Sequence, residues 1–186
     1  MVKLLSAALL LLCLGHIAYA WCPWAKTRLL TINKNSVKQL KEMGTFPKQC
    51  IDANVPQMFS ESLYSFSSQA QDEHVIPVIY EALKHVKMIS QNATTWSRQH
   101  LALFKNFLSQ QVEELEKCVE KMTLAGDGGS EETSYPALNA YFQKLSDFLE
   151  KKELSGKFCG WEVVRKEVIV NLEFLNKFLD NRKKRR

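Results

Sequence analysis

The chain has 186 residues, 46% hydrophobic, 24% charged and 10% aromatic, with a formal net charge of +5. That composition excludes intrinsic disorder, which goes with few aromatics and a large charge imbalance. Seven glycines and five prolines are too few for the many tight turns of a β-sandwich or barrel, so an all-α domain is expected.

Residues 1–20 read as a cleaved secretory leader. Lys3 supplies the positive start, Leu4 to Leu14 the apolar run, and Ala18-Tyr19-Ala20 the small-x-small cleavage pattern. The run is about a dozen residues, where a membrane-spanning helix needs about 20. A single secreted, extracellular domain over 21–186 is therefore expected, without membrane insertion. Cys13 leaves with the leader, so Cys22, Cys50, Cys118 and Cys159 remain. Four cysteines in an oxidising compartment favour two structural disulfides, and their spacing leaves all three pairings open. No C-x-x-C or close Cys/His pair is present, so no metal site is expected.

From Lys26 to Met43, Leu29, Leu30, Val37, Leu40 and Met43 form a helical stripe that weakens at Thr31 to Asn35, and Gly44 is a helix stop. Thr45 to Gln71 shows no sustained period and reads as a long, largely irregular connection pinned by Cys50; connections of that length are often functional. A second helix is expected over Ile76–Ile89, with Pro77 in its first turn. Thr94 or Thr95 would cap a third, striped by Leu101, Phe104, Leu108, Val112, Leu115, Val119 and Met122. The run Gly126-Asp127-Gly128-Gly129 lacks the flanking strand and Lys-Ser/Thr of a phosphate loop, and reads as a flexible linker.

A fourth helix covers Pro136–Glu153. A fifth runs from Cys159 to about Asp180, with Trp161, Val164, Val168, Leu172 and Leu175 inward. Val163, Ile169, Val170 and Phe174 make it apolar well beyond one face. It is thus either central to a bundle or the carrier of an apolar partner surface. Five helices, with one long connection early and another before the fourth, suit an all-α, four-helix-type bundle with long crossover connections.

No serine-hydrolase, zinc-protease, nucleotide or dinucleotide fingerprint occurs, so neither an enzyme nor a cofactor is expected. Asn92-Ala93-Thr94 is a glycosylation sequon at a helix–helix connection. Arg182 to Arg186 form a basic run, read as a disordered tail over 181–186 that could hold sulfated glycans. A nuclear or nucleic-acid role makes no sense after secretion.

Cys159-Gly160-Trp161-Glu162-Val163-Val164-Arg165 closely resembles the Cys-Ala-Trp-Glu-(Val/Ile)-Val-Arg signature of the type I interferon family. Tyr141-Phe142-Gln143-Lys144-Leu145 and Leu149-Glu150-Lys151-Lys152 are similar to that family's fourth helix. Ile76-Pro77-Val78-Ile79 with Glu81 resembles the second helix. Trp96, Gln110-Gln111, Leu115-Glu116 and Cys118-Val119 resemble the third. The four cysteines fall in the family's places. The chain departs from the pattern at Gly160, where Ala is usual, and at Asn54 and Val170, where some members carry basic residues.

The resemblance implies a five-helix cytokine bundle of up-up-down-down topology, a monomer that joins the two chains of the type I interferon receptor and signals through Janus kinases and STAT factors to an antiviral state. It implies the pairs Cys22–Cys118 and Cys50–Cys159. On the fifth helix Arg165, Lys166 and Ile169 project beside or away from the inward stripe, and with Ile51 they form the expected contact for the high-affinity receptor chain. Glu81, which matches the family motif, and Lys84 lie off the second helix's stripe and form the expected contact for the second receptor chain. Another secreted helical cytokine, of the type III interferon or interleukin kind, and a non-signalling carrier bundle are the alternative readings.

Overall fold

The computed structural model describes residues 23–53, 57–64, 72–124, 135–153 and 157–184. The expected leader, Cys22, Asn54 and the glycine run at 126–129 lie outside them. In chain order come α1 (Pro23–Glu42), two short 3-10 segments at Lys48–Ala53 and Glu61–Tyr64, α2 (Asp72–Gln91), α3 (Arg98–Leu124), α4 (Pro136–Glu153) and α5 (Lys157–Lys184). The described residues contain helices and turns and no strand.

The apolar stripes are what the helices bury. On α3, Leu101, Phe104, Leu108, Val112 and Leu115 are all interior, as are Ile76, Ile79, Leu83 and Val86 on α2. Several boundaries differ from the expected ones. The weak stretch Thr31–Asn35 does not interrupt α1, because Asn33 has an interior partner: its side-chain amide donates to the Leu172 carbonyl at 2.8 Å and to Asn176 Oδ1 at 3.0 Å. Helix α2 begins at Asp72, so Pro77 sits inside the helix and not in its first turn. Helix α3 starts at Arg98, which puts Ser97, not Thr94 or Thr95, next to its first turn. Helix α5 continues to Lys184, so most of the tail expected to be disordered is helical.

The pairings fix the helix directions. Arg28 meets Glu114 and Gln39 meets His100, so α3 runs antiparallel to α1. Asn33 meets Leu172 and Leu40 meets Arg165, so α5 also opposes α1. Tyr80 bonds Glu116 and Lys105 bonds the Gln91 carbonyl, so α2 opposes α3 and parallels α1. Helices α1 and α2 thus run up and α3 and α5 down, with α4 returning between the last two: the up-up-down-down bundle. Helix α5 packs against α1, α4 and the first 3-10 segment, which accounts for its being apolar nearly all round.

Gly160 lies where the end of α4 meets the start of α5. A Cβ at that position would stand 2.9 Å from Lys152 Cβ and 3.7 Å from Leu149 Cδ2. The first separation is below ordinary contact, and the atom it meets is bound directly to the α4 backbone, which cannot swing aside as a side-chain tip can. Ala is the better helix former by about 1 kcal/mol, but overpacking costs about 1–3 kcal/mol. Gly160→Ala should therefore leave the protein no more stable than wild type, and up to about 2 kcal/mol less stable, by urea unfolding. A clear gain in stability would show that α4 can retreat freely.

Candidate functional site

The connection between α1 and α2 is tied down at several points, and the ties gather on α5. Cys50 and Cys159 form a disulfide across 109 residues, with their Cα atoms 5.2 Å apart. Two turns along α5, the buried Glu167 carboxylate accepts the backbone N–H groups of Met58 at 3.0 Å and Phe59 at 2.8 Å. One turn further, Asn171 Oδ1 accepts the Tyr64 hydroxyl at 2.6 Å. Phe59 and Tyr64 sit with Phe174 in an aromatic cluster, with ring centroids 5.7 Å and 5.1 Å from it, and Tyr141 of α4 closes the cluster 6.0 Å from Phe59. The segment 57–64 is largely irregular, as expected, but Phe59 and Tyr64 tie it into the core. Cys118 is disulfide-bonded as well, and Cys22, its expected partner, lies outside the described residues.

Arg165 requires a correction. Read from the helical stripe it points outward, yet it is only 3% exposed. Its Nε donates to Glu162 Oε2 at 3.1 Å, and a second nitrogen bonds the same carboxylate. A third, Nη1, donates to the carbonyls of Leu40 and Gly44, each at 2.9 Å. Those carbonyls belong to the end of α1, where Gly44 takes φ +111°, a conformation that favours glycine. The guanidinium thus caps α1 from inside the bundle and has no free donor face to offer a partner. Sequence reasoning also missed Glu162, Glu167 and Asn171. Their signal was present: charged and amide groups recurring on a helix otherwise apolar on every side.

The remaining expected contacts are more accessible. Ile51 is 63% exposed, although Cys50 beside it is bonded to α5. Lys166 is half-buried, with its ammonium 5.8 Å from the centre of the Phe46 ring. Ile169 is also half-buried, its inner side against the core. Four positions further along α5, Glu173 pairs with Lys41 of α1. Ile51, Lys166 and Ile169 are thus presented by α5 and the connection locked to it. Glu81 and Lys84 lie on α2 and pair with each other at 3.1 Å. The Lys84 ammonium also stands 5.4 Å from the Tyr80 ring centre. Asn92 is exposed in the turn after α2. Among the described residues no group of three or more His, Cys, Asp or Glu could hold a metal ion, and no helix is long and apolar enough to cross a membrane.

Burial pushes the Tyr64 and Tyr141 hydroxyls far above the usual phenol range, and the nearby Glu167 carboxylate adds to the effect at Tyr141. At the more open Tyr80, partial burial and then Glu116 raise it to about 12. The arrangement as a whole pairs its buried charges internally and leaves an apolar and cationic rim outside.

Residues 26–182 match the family model of the interferon alpha/beta domain. Interferon alpha-D of Bos taurus is 31% identical over 177 residues, covering 90% of this chain and 88% of its own length. Interferon beta-2 of Bos taurus is 26% identical, covering 94% and 95%. Among solved structures, zebrafish interferon 2 superposes with a TM-score of 0.64 at 26% identity, over 80% of this chain and 97% of that one.

Two outcomes test the geometry. Arg165→Ala strands the buried Glu162 carboxylate and uncaps α1, and should cost about 3–5 kcal/mol of folding stability. A loss below about 1 kcal/mol in urea unfolding would contradict the interior role, since that is the range of an exposed ion pair. The tyrosines set the alkaline limit. Their pKa is raised by folding, so the unfolded chain gives up these protons first, from about pH 10. Stability should be unaffected below that pH and fall as pH rises above it. Phenolate absorbance from Tyr64 and Tyr141 should appear only together with the loss of helical circular dichroism.

Proposed function

Because the chain belongs to the interferon alpha/beta family, we propose that it is a secreted cytokine, released from its 1–20 leader, that bridges the two chains of the type I interferon receptor. Signalling then runs through receptor-bound Janus kinases and STAT factors to an antiviral state. The observation that carries this reading is the exposed Ile51 beside the Cys50–Cys159 bridge. A bulky apolar side chain left in water on a segment locked at both ends is how a protein stores an anchor for a partner.

The high-affinity face is Ile51 with Lys166 and Ile169. Arg165 supports that face from beneath and does not touch the receptor. The second receptor chain takes the outer side of α2 at Glu81 and Lys84, whose mutual ion pair can be exchanged for receptor contacts. The basic run beyond Asn181 is a secondary holding surface for sulfated glycans.

Cells treated with refolded 21–186 should accumulate phosphorylated STAT, and blockade of the type I receptor should abolish the response. A response that survives blockade overturns the assignment. In surface plasmon resonance, Ile51→Ala and Ile169→Ala should each weaken binding to the high-affinity receptor chain by about 1–3 kcal/mol, with thermal stability unchanged in Ile51→Ala and lowered in Ile169→Ala, whose inner side packs on the core. Charge reversal at Glu81 and Lys84 should lower signalling while sparing that affinity. Wild-type affinity in both isoleucine variants would remove this face from the interface.

A further inference from the structure

Two adjacent residues of α5 grip the same short stretch of the connection after α1. Arg165 Nη1 holds the Gly44 carbonyl from inside the bundle at 2.9 Å. The Lys166 ammonium stands over the ring of Phe46, 5.8 Å from its centre, within the roughly 6 Å at which an aromatic face attracts a cation. We infer that Phe46 is a positioning residue of the high-affinity receptor face, holding the Lys166 ammonium where a carboxylate of the receptor chain meets it. That role rests on the receptor reading above and names the chemistry its face accepts.

Phe46 is itself held in place. Before it, Gly44 turns the chain off the end of α1 with φ +111° and is bound through its carbonyl. After it, Pro47 disfavours a helical backbone at Phe46, and the Pro47 carbonyl accepts the Cys50 N–H at 2.9 Å. Cys50 is then bridged to α5 at Cys159. The ring is partly buried, so the ammonium meets an ordered surface. A flexible four-carbon stem loses rotamer freedom when a partner immobilises it. Restraint over a ring removes part of that loss from the encounter. A π face engages one side of an ammonium, whose three N–H donors can serve a carboxylate as well.

The place of Lys166 on α5 calls for that acceptor. Ile169 follows it by three residues and is its neighbour on one helix face. Cys159, which holds the residue before Ile51, precedes it by two turns on the same side. The cation therefore stands between two apolar anchors. A partner that covers both isoleucines desolvates the ammonium between them, which costs more than the contact returns unless an anionic acceptor comes with it. The neighbouring cations are placed for other work: Arg165 is interior and Lys41 pairs with Glu173. Lys48, exposed in the first 3-10 segment, adds to the positive field that draws an acidic partner in.

Surface plasmon resonance against the high-affinity receptor chain tests this with four variants of the folded protein. Phe46→Leu keeps an apolar side chain without the π face, and should weaken binding about threefold. Phe46→Tyr keeps the face and should bind like wild type. Lys166→Met keeps the stem without the charge, and should weaken binding about tenfold. The Phe46→Leu, Lys166→Met double variant should bind like Lys166→Met alone, since the ring has nothing left to position. In nuclear magnetic resonance of the free protein, the Lys166 protons next to the ammonium should lie upfield in wild type and Phe46→Tyr, and return to ordinary positions in Phe46→Leu. Wild-type affinity in Phe46→Leu overturns the positioning role, as do additive losses in the double variant or the absence of the upfield shift from wild type. Equal losses in Phe46→Tyr and Phe46→Leu would assign the ring to packing alone. Ile51→Ala separates these failures from that of the receptor reading. If it weakens binding while Phe46→Leu does not, the face stands and the role of Phe46 falls. If Ile51→Ala and Lys166→Met both bind like wild type, the face lies elsewhere and the role of Phe46 falls with it.

Discussion

Glu167 lies inside the bundle with its carboxylate aimed at the backbone N–H groups of Met58 and Phe59, and much of the architecture depends on that contact. A carboxylate buried without partners costs several kcal/mol, so α5 can carry one here only if the connection comes to it. The connection in turn has two donors that need an acceptor away from water. Each side makes the other tolerable. Once Met58 and Phe59 are fixed, Phe59 and Tyr64 enter the space between α4 and α5, and the aromatic cluster with Phe174 and Tyr141 follows.

The other end of the connection is set by Arg165 and Cys159. Arg165 holds the carbonyls of Leu40 and Gly44 at and just past the end of α1, and Cys159 holds Cys50, so Ile51 follows directly on a fixed point. Buried ion pairs are weak sources of stability, because desolvation offsets much of the attraction. What this set contributes is register, since each group is satisfied in one arrangement of α1, the connection and α5. A partner meeting Ile51 then meets a surface already ordered and does not have to supply the ordering entropy.

Five helices, their order and most of the core were legible because each helix has an apolar face with a period near 3.6 residues, and α3 repeats it for seven positions. The ends were less legible. Ser97, Pro77 and the start of α2 are placed by neighbours and not by local propensity. Arg165 failed for a different reason. A helical stripe divides inside from outside only when one face is wet, and α5 is covered by α1, α4 and the first 3-10 segment. On such a helix a charged residue beside the stripe is as interior as the stripe itself. The burial of Phe59 and Tyr64 is not legible because they are isolated apolar residues among polar ones, with no period to mark them. Of the proposed surface, Ile51 could be placed from its cysteine neighbour, whereas the aromatic partner of Lys166, Phe46, had no sequence signal at all.

The position of α5 in the chain has a consequence for how the molecule is made. The helix against which α1 and α4 pack is made after both of them. Asn33 waits for Leu172, 139 residues on, Leu40 waits for Arg165, 125 residues on, and Cys50 waits for Cys159. Until then the N-terminal half has α3 to lean on, but nothing to cap α1, bind the connection or engage Cys50. Folding of this half is therefore completed only once α5 has been made, with the Cys50 thiol and apolar surface unprotected in the interval. A chain cut short before α5 would lack more than its final helix. It would lose the cap on α1 and the ties that hold Cys50, Met58, Phe59 and Tyr64 as well.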